Sequence, residues 1–302
     1  MIEKETISDW FKELQHSICT QLQVADGSGK FMTDSWERPG GGGGITRVMT
    51  EGKIIEKGGV NFSAVWGKTP EAVLKSLQLP QTDEPDFFAT GVSIVVHPLN
   101  PMVPIIHMNV RYFEMSNGTW WFGGGIDLTP HYVNSLDAKY FHQQLKNVCD
   151  QHHRSYYPEF KKWADDYFFI KHRNETRGVG GIFFDYLKAD AAFTKESRFE
   201  FVKSVGSVFA PIYTHLMTQN HSLPYDENQK RWQHLRRGRY VEFNLVWDRG
   251  TKFGLDTDGR TESILMSLPP IAEWVYRHNP EINSEESKTQ AFLIKGIDWI
   301  NV

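Results

Sequence analysis

Only two cysteines, Cys19 and Cys149, occur in 302 residues. Both fall at apolar-periodic positions of helical patterns. This excludes a disulfide framework, a cysteine zinc site and a cysteine-ligated iron–sulfur cluster, and it fits a reducing cytoplasm. No run of about 18 apolar residues occurs, and the opening MIEKETISDWFKELQ is charged throughout, so neither a membrane span nor an export signal is expected. A positive field is missing as well. With a formal net charge of −4 and a pI near 6.3, nucleic acid and anionic membranes are not expected partners, and any anionic ligand must be held by local Arg and Lys. The glycine run Gly40–Gly44 has no Walker Lys-Ser/Thr behind it and no dinucleotide spacing, and the histidines form no HExxH or other short ligand pair.

What is present suffices for a sizeable core: 40% apolar, 14% aromatic and 23% charged residues argue for one folded domain spanning 1–302. Twenty Phe, eleven Tyr and ten Trp suit either ordinary packing or a pocket for a flat, bulky ligand. Residues 5–22 read as an amphipathic helix. The glycine run reads as a loop leading into β-leaning segments, and residues 90–97, 104–114 and 119–124 read as an antiparallel meander that Gly123–Gly125 either end or open to a ligand. Helical patterns follow over 135–156, in YPEFKKWADDYFFIKHRNE, and over 195–219, with IFFDYL as a short strand. RGRYVEFNLVWDRG alternates like a further strand of the same sheet, and helices are expected near 261–277 and 285–295. The expected fold class is α+β: a large, mostly antiparallel sheet flanked by helices on both faces.

Strand alternation places Ser93, Val95 and His97 on one face, and His107, Asn109 and Arg111 on one face of the next strand. The opposite positions, Ile94, Val96, Met108, Val110 and Tyr112, are apolar. Such a polar face beside a core side implies a cleft, and an Arg with two His there implies an anionic ligand. Arg111 is suited to a bidentate clamp on a carboxylate, and His107, which shares its strand face, to proton transfer. Asp127 stands where it either caps a turn or points into the cleft. Arg260, at a turn leading into a helix, offers a second guanidinium to an anion. His97, His107, His142 and His172 are the histidines placed for cleft chemistry, with metal ligation and structural hydrogen bonding both open. Arg236, Arg237 and Arg239 read as a solvated face or subunit contact.

The stretches VSIVVHPLNPMVPIIHMNVRYFE, WWFGGGIDLTPHY, YPEFKKWADDYFFIKHRNETRGVGG and GRYVEFNLVWDRGTKFGLDTDGRTESILMSLPP together resemble the oxygen-dependent coproporphyrinogen III oxidases. The resemblance runs from the glycine run to the final helix. It implies a homodimeric heme-biosynthetic enzyme that uses dioxygen to turn the ring A and B propionates of coproporphyrinogen III into vinyls, giving protoporphyrinogen IX, carbon dioxide and hydrogen peroxide. Residue by residue it implies substrate contacts at Ser93, Asn109, Val110, Arg111, Asp258, Gly259 and Arg260, and a proton donor at His107. It also implies a divalent cation at His97, His107, His142 and His172, in a family able to act without a metal or an organic cofactor. The family commonly has Gly-Gly-Arg where this chain reads Asp258–Gly259–Arg260, which sets an extra carboxylate beside an anionic substrate. A porphyrinogen has central pyrrole N–H donors and peripheral carboxylates, so Asp127 is expected to accept from the centre and Arg111 to hold the rim. A tetrapyrrole carrier would need the same cleft without the chemistry.

Overall fold

The computed structural model of the chain describes residues 2–69, 74, 85–256 and 259–302. Its centre is an antiparallel sheet of seven strands: β1 (Met32–Glu37), β2 (Gly42–Thr50), β3 (Ile55–Lys68), β4 (Asp86–Pro98), β5 (Ile105–Met115), β6 (Trp120–Thr129) and β9 (Gly180–Leu187), hydrogen-bonded in that order. A small hairpin, β7 (Phe169–Ile170) with β8 (Glu175–Thr176), precedes β9. The expected meander is there, with Ser93 opposite Asn109 and Val95 opposite His107. Gly123–Gly125 do not end pairing. They lie inside β6, and Gly124 and Gly125 pair with Phe184 and Phe183 of β9 on the far side. The glycine run is less of a loop than expected, since Gly42–Gly44 already pair with Ser63–Val65.

Period-two alternation makes the sheet two-faced. Val92, Ile94, Val96, Met108, Val110, Tyr112, Phe122, Ile126 and Ile182 are all buried on one side. Against that side pack α1 (Lys4–Asp26), α2 (Ser135–His152), α3 (Tyr156–Tyr167) and α4 (Lys195–Asn220). In α1 the buried stripe Ile7, Phe11, Leu14, Ile18, Leu22 follows helical spacing. The other side of the sheet is partly roofed by α5 (Glu227–Val246), α6 (Arg249–Asp256) and α7 (Thr261–Leu265), and α8 (Glu285–Ala291) lies near the C-terminus. No described helix is long and apolar enough to cross a membrane.

Other expectations change as well. The helical run expected through YPEFKKWADDYFFIKHRNE stops at Tyr167, and Phe169–Ile170 belong to β7. The segment around Tyr240–Leu245 is not a strand but the end of α5. Its alternation is local, whereas buried Trp232, Leu235, Tyr240 and Phe243 keep helical spacing, and an Asp226–Gln229 capping box starts the helix. Arg236 and Arg237 are therefore not a solvated face: they are 5% and 0% exposed and paired with Glu175 and Glu56. The helix expected over 261–277 stops at Leu265, just ahead of Pro269–Pro270.

Asp26 ties α1 to the β2–β3 turn. Its carboxylate accepts backbone N–H groups of Gly29, Lys53, Ile54 and Ile55. Burial pushes its pKa up, but those donors outweigh burial and hold it at about 2 instead of 3.8. Because the folded-state value is the lower one, the stabilisation is complete above about pH 4 and is lost as the pH falls through about 2. Asp26→Asn should cost about 2 kcal/mol at neutral pH and flatten that acid limb, as read from urea midpoints against pH. An unchanged limb would contradict this.

Candidate active site on the polar face of the sheet

The face opposite the core carries the predicted polar residues. Ser93, His107, Asn109 and Arg111 all point to it and stay partly exposed, and Asp127 pairs across from His107 on the same side. Between them the floor is low, built from Ser63, Gly91, Ser93, Gly123 and Gly125, so a flat ligand meets little side chain there. Val110 points the other way and is buried in the core, as alternation requires, so its side chain takes no part in this face.

Asp127 neither caps a turn nor lies open to the cleft. It is 1% exposed, and both of its oxygens are taken by Arg177: Nη2 to Oδ1 at 2.7 Å and Nε to Oδ2 at 3.1 Å. Arg177, also 1% exposed, was not foreseen. It sits between β8 and β9, outside any periodic pattern, where an Arg followed by glycines in TRGVGG is the only cue. Its guanidinium is caged by the rings of Phe168, Tyr240 and Phe243 at 4.5, 4.8 and 4.6 Å. Burial pushes the Asp127 pKa up, but Arg177 and then His107 outweigh burial, and the carboxyl stays below its ordinary range. It is held as a carboxylate.

That carboxylate fixes His107. Nδ1 lies 2.8 Å from Asp127 Oδ1, so Nδ1 carries the proton and donates it. Arg177 Nη2 approaches the same nitrogen at 3.4 Å, and the two donors share Oδ1. Nε2 has no partner among the described residues, and the side chain is 21% exposed, so its lone pair is presented to the floor. One ring edge is shielded by Phe168 at 6.1 Å.

Arg111 donates to Asn109 Oδ1 at 2.9 Å and pairs with Asp185 at 2.8 Å. Arg260 stands at the other margin, paired with Asp34 on β1, while the neighbouring Ser263 bonds Thr46 on β2 and its carbonyl accepts from Asn61 on β3. From β2 to β5 is three strand spacings, about 14 Å, so the two arginines flank the floor rather than sharing one point. Gly259 sits beside Arg260 at this margin, its N–H bonded to Gly254 O. Asp258 lies outside the described residues.

The four histidines do not fit one metal centre within the chain. His142 is on α2, in the core on the far side of the sheet, with Nε2 on Val179 O and Nδ1 on Tyr157 OH, and burial pushes its pKa down to about 3. His172 bonds Glu242 through Nε2 and accepts from Trp247 at Nδ1. His97 is fully buried and gives Nε2–H to Ser267 O. Among the described residues no three His, Cys, Asp or Glu side chains are grouped to hold a metal ion.

The family model of coproporphyrinogen III oxidase matches residues 6–299. A protein of Drosophila melanogaster named oxygen-dependent coproporphyrinogen-III oxidase is 50% identical over 95% of this chain and 76% of its own length. A relative of that name from Prochlorococcus marinus is 47% identical over 95% of this chain and 88% of its own, and a chloroplastic one from Glycine max is 48% identical over 96% and 77%. With a low floor, a fixed imidazole and guanidinium groups at its margins, and with relatives this similar along nearly its full length, this chain belongs to the coproporphyrinogen III oxidase family.

Proposed function

We propose that this chain is an oxygen-dependent coproporphyrinogen III oxidase that converts the ring A and B propionates of its substrate to vinyls in heme biosynthesis. The single observation carrying the mechanism is the chain of contacts Arg177–Asp127–His107, which leaves His107 Nε2 open over a floor bordered by Arg111 and Arg260. A flat tetrapyrrole lies on that floor beside Ser93 and Asn109, with carboxylates reaching Arg111 on one margin and Gly259–Arg260 on the other. Each turnover takes a propionate, one O2 and one proton to a vinyl, CO2 and H2O2.

With both Asp127 oxygens engaged, the proton acceptor moves from Asp127 to His107. The pyrrole nitrogen gives its proton to Nε2, and Asp127 stabilises the imidazolium that results. The electron-rich ring then bonds dioxygen at carbon. The attached peroxide takes the hydrogen of the propionate carbon next to the ring and leaves, with one further proton, as H2O2. Loss of CO2 returns the bond electrons to form the vinyl, and the nitrogen recovers its proton from His107. Arg111 keeps the reacting side chain oriented throughout. Every step is written with dioxygen and with groups of this chain alone: His107, Asp127 and Arg111.

We place the enzyme in a reducing compartment, the cytoplasm, on the strength of two buried free thiols. We place a homodimer contact along residues 240–271, where Leu245, Val246 and Ile271 are 44%, 44% and 49% exposed. Mass measurement in solution should give twice the 34.9 kDa chain mass, and a monomer would refute the contact.

Purified protein, stripped with chelator and incubated in air with coproporphyrinogen, should still form vinyl groups; binding without product would leave a carrier instead. Asp127→Asn should lower kcat by about a hundredfold or more while sparing anaerobic substrate binding. Near-normal turnover would refute the relay. Arg177→Met strands a buried carboxylate and should cost about 3–5 kcal/mol of stability by denaturant unfolding, a loss that a merely solvated arginine would not produce.

A further inference from the structure

Arg111 is already occupied in the substrate-free chain. Its Nη1 donates to Asn109 Oδ1 at 2.9 Å, and its Nη2 lies 2.8 Å from Asp185 Oδ2. Asp185 belongs to β9 and Arg111 to β5, with β6 between them, so the pair must cross a strand. It crosses where Gly123, the residue facing Arg111, leaves β6 bare. A Cβ there would lie 2.5 Å from Asp185 Oδ1 and 2.8 Å from Arg111 Nη2.

The carboxylate is anchored by its own chain. Asp185 Oδ1 accepts the N–H of Tyr186 at 3.0 Å, and Tyr186 adopts a left-handed backbone, φ 51°, with its ring 5.1 Å from Trp121. A bulky residue in that region is costly and persists only where its surroundings require it. Here the turn aims Asp185 back across β6. Both partners remain part-exposed, 35% for Arg111 and 20% for Asp185, so the pair borders the floor instead of being sealed beneath it.

We propose that Asp185 is a positioning residue for the reaction. With Asn109 it fixes the plane of the Arg111 guanidinium across Gly123, and the donors left over face the floor to receive a ring propionate. Its negative charge weakens the long-range pull on the substrate. In return, a long, rotamer-rich side chain is ordered before the carboxylate arrives. The inference rests on the reading of Arg111 as the propionate clamp.

Anaerobic titration with coproporphyrinogen tests it, because binding is then measured without turnover. Asp185→Ala and Gly123→Ala should each weaken binding about tenfold at unchanged thermal midpoint, the second without removing any charge. On an Arg111→Gln background, Asp185→Ala should add less than twofold, because there is no longer a guanidinium to orient. Native affinity in either single variant, or an undiminished Asp185→Ala cost beside Gln at 111, would overturn the proposal. If Asp185→Ala does not fold, Gly123→Ala and its combination with Arg111→Gln carry the same test. Failure of the native chain to make vinyl groups in air would instead strike the proposed function.

Discussion

A guanidinium and a carboxylate, both shut away from water, set the geometry on which the site depends. Desolvating Arg177 and Asp127 is expensive, and such a pair persists only when its geometry satisfies both groups. Here two hydrogen bonds join them, and three aromatic rings surround the cation. The pair consumes Asp127 so completely that one further donor, His107 Nδ1, can share its oxygen. In the proposed mechanism the chemistry is thereby handed to the far nitrogen of the imidazole. A buried pair that adds little net stability can still specify which atom of a neighbouring ring faces the substrate.

The sheet supplies the rest through its period of two. The same strands that bury Ile94, Met108 and Val110 against the helices lift Ser93, His107, Asn109 and Arg111 to the other side. Core and site are two faces of one register, and a one-residue slip would exchange them. Glycines on β4 and β6 lower the floor between the polar side chains. On the roof, α5 contributes two of the rings around Arg177, and α7 carries the Ser263 contacts to β2 and β3 beside Arg260.

Much of this was legible in the chain. In β5, Ile106 to Tyr112 alternate between buried apolar and part-exposed polar residues, so that strand, its faces and the wall of His107, Asn109 and Arg111 could be read from spacing, whereas β6 is buried along nearly its whole length and runs on to Thr129, past the expected end at 124. What escaped depends on contacts distant in sequence. Arg177 lies in a short connection with no period, and only the fold brings it beneath Asp127, fifty positions earlier. Asp127 looked like an open acceptor because its partner was invisible. The end of α5 was misread because RYVEFNL alternates over seven residues, while the helical signal needs the wider span from the Asp226 cap to Phe243. Histidines look alike in sequence, and burial alone separates His142, locked in the core, from His107 at the cleft.

The account stands or falls on which nitrogen of His107 carries the fixed proton. Two-bond nitrogen–proton correlation spectra of the histidine-labelled, substrate-free protein at neutral pH read this directly. A protonated Nδ1 with its shift altered by Asp127→Asn is the predicted result. An Nδ1 without a proton would place the donor on the cleft side, and the relay from Arg177 through Asp127 would be contradicted.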